Sequence, residues 1–250
     1  MTRRSREVGI IKSFVLGAAL AAALAVPAQA GDNKLALSAT TVFTTDYMFR
    51  SISNSGNGPA VQPEFDLTYG IFYAGIWGSN VSSVINPDGI EIDYYAGITP
   101  KWGPITFNIA GLYYTYPGNN DIDYFELKTG ASWTGGNWTL GIVNYWSPDY
   151  AQTGLESDAL EGAVAYAFSG KLFNFFSPSI SAAVGEQWYE EPIPDYTYWN
   201  AGLTLGFMDH WSADIRYYDT ADYSRADCLN LIGNQNSCDA RVVGTIKAVF

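Results

Sequence analysis

The sequence predicts an all-β protein: a single transmembrane antiparallel β-barrel, most simply of twelve strands. Three features predict it. After residue 30 the chain is a succession of segments of about ten residues in which apolar and polar side chains alternate. Clusters of Gly, Pro, Asn and Asp separate these segments, as expected for strands joined by turns. Aromatic residues make up 16% of the sequence, which suits rings of Trp and Tyr at two membrane interfaces.

The first thirty residues predict a cleaved secretory signal peptide. An apolar run over 14–26 is too short to span a bilayer as a helix, and Ala28-Gln29-Ala30 supplies a small-residue cleavage site. An uncleaved N-terminal anchor is the alternative. We expect cleavage after Ala30 and one barrel domain over 31–250. Four basic residues precede the apolar run, namely Arg3, Arg4, Arg6 and Lys12.

The chain that remains is strongly acidic. Removing residues 1–30 takes away four basic residues and one acidic residue, which leaves nine basic against twenty-four acidic residues, so the net charge changes from −12 to −15. Such a chain is not expected to bind nucleic acid through its phosphates.

The two cysteines, Cys228 and Cys238, lie close together in a polar segment near the C-terminal end. In an oxidising compartment a pair of this kind forms a disulfide. It has neither CxxC spacing nor a neighbouring histidine, so we expect no metal and no cofactor there. The pair predicts a disulfide that staples one loop, and two free thiols are the alternative.

The final segment shows the strand pattern most clearly. Phe250, Ala248 and Ile246 would face one side, and Lys247 and Arg241 the other. A terminal Phe250 on such a strand also resembles the signal read by the barrel assembly machinery, which we therefore expect as a partner. The twelve predicted strands lie near 35–47, 61–69, 71–80, 90–100, 104–116, 122–133, 137–146, 158–168, 179–189, 196–207, 211–219 and 239–250.

The connections alternate in length. Those after predicted strands two, four, six and ten are tight, whereas those after the odd-numbered strands are mostly longer and more polar. This alternation is typical of an even-stranded outer-membrane barrel with both termini in the periplasm. The link 169–178 after strand eight is longer than the rule predicts, and the facing of strand three is ambiguous.

Trp residues lie near both ends of the segments, as expected for the two interfaces of a membrane barrel. A soluble barrel is the alternative, and it would scatter them.

Closure explains why such strands can cross a membrane. In hydrocarbon every backbone N–H and C=O must be paired, and an open sheet leaves an unpaired edge. A cylinder of twelve strands removes the edge and is wider than the eight-stranded barrels that side chains fill, which permits a water-filled lumen. We expect the bacterial outer membrane as the location, with its lipid and lipopolysaccharide around the barrel. The oligomeric state is not predicted.

Alternation assigns eleven charged residues to the lumen. Seven anions against four cations predict a preference for cations or neutral solutes; the alternative is that opposite charges only pair across strands. Acidic pairs two residues apart on one strand face can serve hydrolysis or hold a hard cation, but in a barrel they are more simply lumen residues. The pore-lining candidates are Glu64, Asp66, Glu91, Asp93, Glu126, Lys128, Glu161, Asp214, Arg216, Arg241 and Lys247.

Other inward positions carry tyrosines (Tyr95, Tyr114, Tyr145 and Tyr218), whose rings could stack on sugars or nucleosides. Catalysis is not predicted. The one histidine, His210, lies in a tight turn at the predicted periplasmic end, away from the outer-leaflet site that a Ser–His hydrolase of the outer membrane uses. The sequence also lacks a GxSxG motif and a phosphate-binding glycine loop.

Four segments, 45–53, 59–62, 72–81 and 91–97, resemble the TorF family, an outer-membrane family of proteobacteria with no established function. Position 51 is Ser where the family has Gly. The resemblance implies an outer-membrane channel and brings no agreed functional residues. Asp46 and Arg50 would either form a charge pair at the pore mouth or fix the first long loop. The motif positions carried over are Asp46, Tyr47, Arg50, Pro59, Gln62, Trp77 and Asn80.

The sequence thus predicts a porin-like channel for passive diffusion of small hydrophilic solutes. The alternative is a non-conducting barrel for adhesion or envelope integrity, plugged by side chains or by the loop carrying Cys228 and Cys238.

Overall fold

The computed structural model describes residues 34–250, so the predicted signal peptide and its cleavage site lie outside the described residues. Twelve long strands account for most of the described chain. They are β1 (Leu35–Thr44), β2 (Ala60–Tyr69), β3 (Phe72–Asn80), β4 (Ile90–Ile98), β5 (Ile105–Thr115), β6 (Tyr124–Gly135), β7 (Trp138–Ser147), β8 (Ser157–Ala167), β9 (Ser177–Tyr189), β10 (Tyr196–Phe207), β11 (Trp211–Ala221) and β12 (Arg241–Val249).

Each strand pairs antiparallel with the next, and the sheet closes on itself. The closing seam joins β1 to β12, with Thr40 opposite Val249 and Thr44 opposite Thr245. A short strand, Lys101–Trp102, extends the turn between β4 and β5. The predicted twelve-stranded antiparallel barrel is confirmed. All twelve predicted segments are strands, with ends that differ by up to three residues.

Exposure alternates along the strands and shows which side chains face outward. In β2, Phe65 is 59% and Leu67 41% exposed, whereas Thr68 is buried. The same alternation resolves β3: Phe72 and Ile76 face outward, and Tyr73 and Trp77 face the interior. The outer face is therefore a continuous apolar band, and the interior carries most of the charge. Trp102, Trp133 and Trp138 mark one edge of this band.

The two ends of the barrel differ. One end, which we call the terminal end, carries the start of β1, the end of β12 and the connections 70–71, 99–104, 136–137, 168–176 and 208–210. The other, the loop end, carries the connections 45–59, 81–89, 116–123, 148–156, 190–195 and 222–240. The connection 168–176 is the one long member at the terminal end, as expected from its length in the sequence.

The loops at the loop end contain most of the remaining structure. Strands Met48–Phe49 and Ile52–Ser53 pair with each other, and 3-10 turns form at Asn120–Ile122 and Tyr150–Gln152. Helix α1 (Arg225–Ile232) begins with a capping box between Ser224 and Asp227. Within residues 34–250 no helix is both long and apolar enough to pass through a bilayer. The predicted disulfide between Cys228 and Cys238 is present.

The apolar band leads to a stability prediction. Ile215 is 57% exposed in the middle of β11, so Ile215→Arg would place a cation in hydrocarbon, and we expect it to lower the free energy of unfolding by about 2–4 kcal/mol. Leu35→Arg is the matched control, because Leu35 is as exposed but lies at a strand end, where about 0–1 kcal/mol is expected. Urea unfolding of the barrel in lipid vesicles measures both. Equal losses for the two variants would contradict a band with a hydrocarbon centre.

Candidate functional site

The interior of the barrel gathers the charged residues that the sequence singled out. The side chains of all eleven lie on strand faces turned away from the apolar band. Glu91, Glu126 and Arg216 are almost fully buried, whereas Glu64, Lys128 and Lys247 keep partial exposure. They do not surround an empty bore, because part of the chain lies inside it.

A hairpin enters the bore from the loop end. Residues 45–59, which we call the inward hairpin, leave β1 and fold inward before rejoining the wall at β2. Its tip residues, Arg50 and Ser51, have φ angles of 46° and 62°, in the left-handed region that few residues other than glycine adopt. Sequence patterning placed this segment in an ordinary external loop and did not predict that it enters the barrel.

Arg50 fixes the tip of the inward hairpin to opposite parts of the wall. Its Nη2 lies 2.8 Å from both carboxylate oxygens of Glu126, and its Nη1 donates to Gln187 Oε1 at 2.7 Å. The guanidinium also lies over the rings of Phe49 and Tyr145, at 4.6 and 4.8 Å from the centroids. An arginine with this many partners holds a defined position.

The charge on Arg50 is secured by its surroundings. Desolvation acts most strongly and lowers its pKa, but Glu126 and the neighbouring tyrosines together raise the pKa well above its usual value. Glu126 in turn accepts a hydrogen bond from the Tyr114 hydroxyl at 2.9 Å. Arg50 and Glu126 therefore form a buried ion pair without net charge that joins the inward hairpin to the barrel wall.

Asp46 fixes the root of the same hairpin. Its carboxylate accepts hydrogen bonds from the hydroxyls of Ser53 at 2.6 Å and Ser55 at 2.8 Å. It also forms an ion pair with Arg241 of β12, at 2.7 Å. Asp46 and Arg50 thus have different partners, and both join the inward hairpin to the barrel wall.

The other motif residues lie at this root as well. Asn80 accepts a hydrogen bond from the Val61 amide at 2.9 Å and donates to the Pro59 carbonyl at 3.0 Å. Trp77 packs on Tyr47, with ring centroids 5.3 Å apart. Gln62 lies beside them and donates to the Ser79 hydroxyl at 3.4 Å. Apart from Arg50 at the tip, the motif residues are therefore one structural cluster that directs the chain from β1 into the bore.

The last long loop covers the inward hairpin. The Ser53 amide donates to the Ser237 carbonyl at 2.9 Å. Ile52 packs in a buried cluster with Tyr196, Tyr198 and the Cys228–Cys238 disulfide. The disulfide loop is thus a cover over the hairpin.

A third ion pair joins two residues on the inner face of β11. Arg216, 1% exposed, pairs with Asp214 at 3.1 Å and donates to Asn200 Oδ1 at 2.9 Å and Ser181 Oγ at 2.8 Å. Asp214 also accepts from the Thr204 hydroxyl at 2.6 Å. These polar groups are satisfied by one another, as buried charges require.

Two acids on β4 are buried without a cationic partner, as is Glu161 on β8. Glu91 and Asp93 are 1% and 9% exposed, and one carboxylate oxygen of each has no hydrogen-bond partner. The Tyr47 hydroxyl donates to the other oxygen of Glu91 at 3.3 Å. Across residues 34–250, no Lys or Arg forms an ion pair with either acid.

Toward the terminal end the bore is lined differently. Tyr95 donates to both Glu64, at 2.9 Å, and Asp66, at 2.6 Å. The opposite wall, from β6 to β9, presents small side chains, many of them partly exposed to the interior. These small residues are Gly130, Ser132, Thr139, Gly141, Ala163, Ala165, Ser179 and Ser181. This part of the wall therefore carries less side-chain bulk than the part around the inward hairpin.

Above the hairpin, at the loop end, lies a cavity of about 350 Å³. Its wall includes Phe49 of the inward hairpin, five tyrosines from the surrounding strands and loops, and the C-terminal end of α1. The cavity was not predicted from the sequence, because its lining residues come from six separate segments. The tyrosines are Tyr116, Tyr124, Tyr150, Tyr189 and Tyr196.

His210 lies at the terminal end, as its turn position predicted. Its Nδ1 lies 2.8 Å from the Val249 carbonyl oxygen, and its ring stacks on Phe250. In the part of the chain that the structure describes, no three His, Cys, Asp or Glu side chains are arranged to hold a metal ion.

Comparison with known proteins agrees with this architecture. A family model described as "Bacterial protein of unknown function (Gcw_chp)" matches residues 28–250. It does not bear the TorF name, so that resemblance stays a prediction. No curated protein matches the chain.

Solved porins share the fold at low identity. The KdgM porin superposes with a TM-score of 0.57 at 8% identity, covering 85% of this chain and 99% of the porin. KdgM in complex with disordered oligogalacturonate gives a TM-score of 0.58 at 7% identity, over 85% and 99%. The NanC porin gives 0.52 at 12% identity, over 86% and 98%. A closed barrel of this fold with an apolar outer band is a protein of the bacterial outer membrane.

Proposed function

Since the chain belongs to the Gcw_chp family of bacterial proteins of unknown function, we propose its function from its structure: it is a porin-like channel through which small hydrophilic solutes diffuse passively across the outer membrane. One observation carries the proposal. A closed twelve-stranded barrel has a charged, polar interior and, toward the terminal end, an interior wall of small side chains. Side chains fill an eight-stranded barrel, but a wider one has room for water.

The inward hairpin would be the narrowest point of this channel. It crosses the loop-end half of the bore and is attached there by Arg50, so solutes must pass beside it. We further propose that the terminal end faces the periplasm and the loop end the cell exterior, because short turns are typical of the periplasmic side.

The charges that remain unpaired support a preference for cations or neutral solutes. Of the seven inward anions, Glu126 and Asp214 are in ion pairs, which leaves five. Of the four inward cations, Arg216 and Arg241 are paired, which leaves two. The KdgM structure contains oligogalacturonate, a polyanion. An interior with more unpaired acids than bases argues against a polyanion as the solute of this chain.

Reversal potential in planar bilayers under a KCl gradient tests the preference. We expect discrete conductance steps and a cation-selective potential. We also expect the double variant Glu64→Gln, Asp66→Asn to move that potential toward zero, because these two acids keep partial exposure to the bore. Asp121→Asn is the matched control, because Asp121 is an exposed acid in the 116–123 loop, and it should leave the potential unchanged. Anion selectivity of the unmodified barrel would overturn the preference for cations.

A second candidate is a non-conducting barrel used for adhesion or envelope integrity. It is favoured by the buried Arg50–Glu126 pair, which fastens the inward hairpin across the bore. The same bilayer recording separates the two candidates, since a barrel that stays plugged gives no conductance steps.

A further inference from the structure

The long connection at the terminal end has no role in the channel function. This connection, 168–176, folds back on itself, and we call it the terminal hairpin. The Leu172 amide donates to the Phe176 carbonyl at 2.8 Å, and the Phe176 amide donates to the Leu172 carbonyl at 2.9 Å. Phe173 and Asn174, at its tip, have φ angles of 53° and 55°. Such a conformation is ordinary for Asn but unusual for a large aromatic residue.

The terminal hairpin exposes large apolar side chains. Phe173 is 83% exposed, which is the highest value of any large apolar residue in 34–250. Leu172 and Phe175, on either side of the tip, are exposed as well. An isolated exposed apolar side chain is common on proteins, but several on one connection indicate a surface that another molecule or a membrane covers.

The base of the terminal hairpin lies on the outer side of the barrel. Phe175 and Phe176 contact the ring of Phe207, with centroids 6.1 and 5.9 Å away. Phe207 shares the register of Leu203, which is exposed on the outer face of β10, whereas Thr204 between them is buried. The terminal hairpin is therefore continuous with the apolar band that faces lipid, rather than folded over the bore.

The charges at the terminal end also match a lipid leaflet. Asp209 is the one acidic side chain in the connections at this end, whereas each of the six connections at the loop end contains an acid. The terminal end has three exposed lysines, and none of them forms an ion pair within the described chain. A leaflet presents phosphate groups directly beside hydrocarbon, which suits a lysine next to an exposed apolar residue. The three adjacent pairs are Lys34-Leu35, Lys101-Trp102 and Lys171-Leu172.

We propose that the terminal hairpin is a membrane anchor and that its partner is the lipid leaflet at the terminal end. Leu172, Phe173 and Phe175 enter the region between headgroups and acyl chains, about 5–10 Å below the phosphates, the depth that interfacial anchors reach. Lys171 remains at the level of the phosphates and contacts them. The anchor fixes the depth at which this end of the barrel lies in the bilayer. It goes beyond the channel function and does not require that the barrel conducts.

Electron paramagnetic resonance of the full barrel in vesicles of phosphatidylethanolamine and phosphatidylglycerol tests the anchor. Phe173→Cys carries a nitroxide label, and the two native cysteines do not react because they form a buried disulfide. Oxygen concentrates in hydrocarbon and a neutral nickel chelate stays in water, so the ratio of their collision rates with the label measures its depth. We expect a depth of about 5–10 Å at position 173. Labelled Ile215→Cys is the reference for hydrocarbon, and labelled Asp121→Cys, in the 116–123 loop, is the reference for water.

Urea unfolding of Phe173→Ala in the same vesicles is a second measurement. Alanine keeps the β-carbon, so the constraint on the backbone at the tip is unchanged while most of the apolar surface is lost. A side chain that stays in water contributes little to stability, whereas one covered by lipid contributes its transfer free energy. We therefore expect the equilibrium constant for unfolding to rise by about tenfold. Leu229→Ala is the control, because Leu229 is exposed on helix α1 at the loop end, and it should change that constant little.

Three results would overturn the proposal. The nickel chelate could reach the label at position 173 as freely as the label at position 121, which would place the terminal hairpin in water. Phe173→Ala could leave the stability of the barrel unchanged. Dipolar broadening between labels on two barrels would show that a second copy of the chain, rather than lipid, covers the terminal hairpin.

Discussion

Arg50→Ala should release the tip of the inward hairpin and so open the proposed channel. The substitution removes the ion pair to Glu126 and the hydrogen bond to Gln187, which together fasten the tip of the inward hairpin. Breaking a buried ion pair by removing one partner costs about 3–5 kcal/mol. A change of about 3 kcal/mol shifts an equilibrium constant by roughly a hundredfold. We therefore expect longer openings and larger conductance steps in single-channel recordings.

Arg225→Ala is the matched control for that experiment. Arg225 pairs with Asp239 at the same 2.8 Å, but the two side chains are 65% and 39% exposed, and such surface pairs contribute about 0–1 kcal/mol. We expect its recordings to match those of the unmodified barrel. If Arg50→Ala also matched them, the inward hairpin would not be the element that limits passage.

Arg216→Met should destabilise the barrel strongly. It leaves Asp214 as a buried charge without its cation and removes the hydrogen bonds to Asn200 and Ser181. The expected loss in the free energy of unfolding is about 3–5 kcal/mol, measured by urea unfolding in lipid vesicles.

The double variant Asp214→Asn, Arg216→Met identifies the cause of that loss. It removes the orphaned charge as well as its partner, and replacing both members of a buried pair is often close to neutral. We expect it to regain much of the stability lost in Arg216→Met. If the double variant were as unstable as the single one, packing of the arginine stem, rather than charge, would account for the loss.

The strands were predictable because the periodicity that identifies them is local. Alternation in the β12 segment assigned Ile246 to the outer face and Lys247 to the interior, and no contact elsewhere in the chain was needed for that assignment. The facing of β3 was ambiguous for a physical reason. Trp77 is a large apolar residue on the inner face, and it packs there on Tyr47 of a hairpin that the pattern did not reveal.

The inward hairpin could not be predicted because its contacts are remote in sequence. Arg50 and Glu126 are 76 positions apart, and Arg50 and Gln187 are 137 apart. The count of lumen charges made from the sequence therefore included Glu126 as an unpaired acid, although Arg50 is its ion-pair partner. Helix α1 was different, since Ser224, Asp227 and the C-terminal Gly233 are local signals of a capped helix. A search for capping residues within the last loop would have found it.

The seam between the first and last strands has a consequence for biogenesis. It joins parts of the chain about 200 positions apart, as between Thr44 and Thr245, whose hydroxyls lie 3.2 Å apart. A nascent polypeptide cannot form these contacts until its final segment has been synthesised and exported, and non-local pairing of this kind is slow. A copy truncated before β12 would leave the backbone groups at the edges of β1 and β11 unpaired. It could associate with other copies through these edges. Only a full-length chain can therefore form the hydrogen bonds between β1 and β12 that close the barrel.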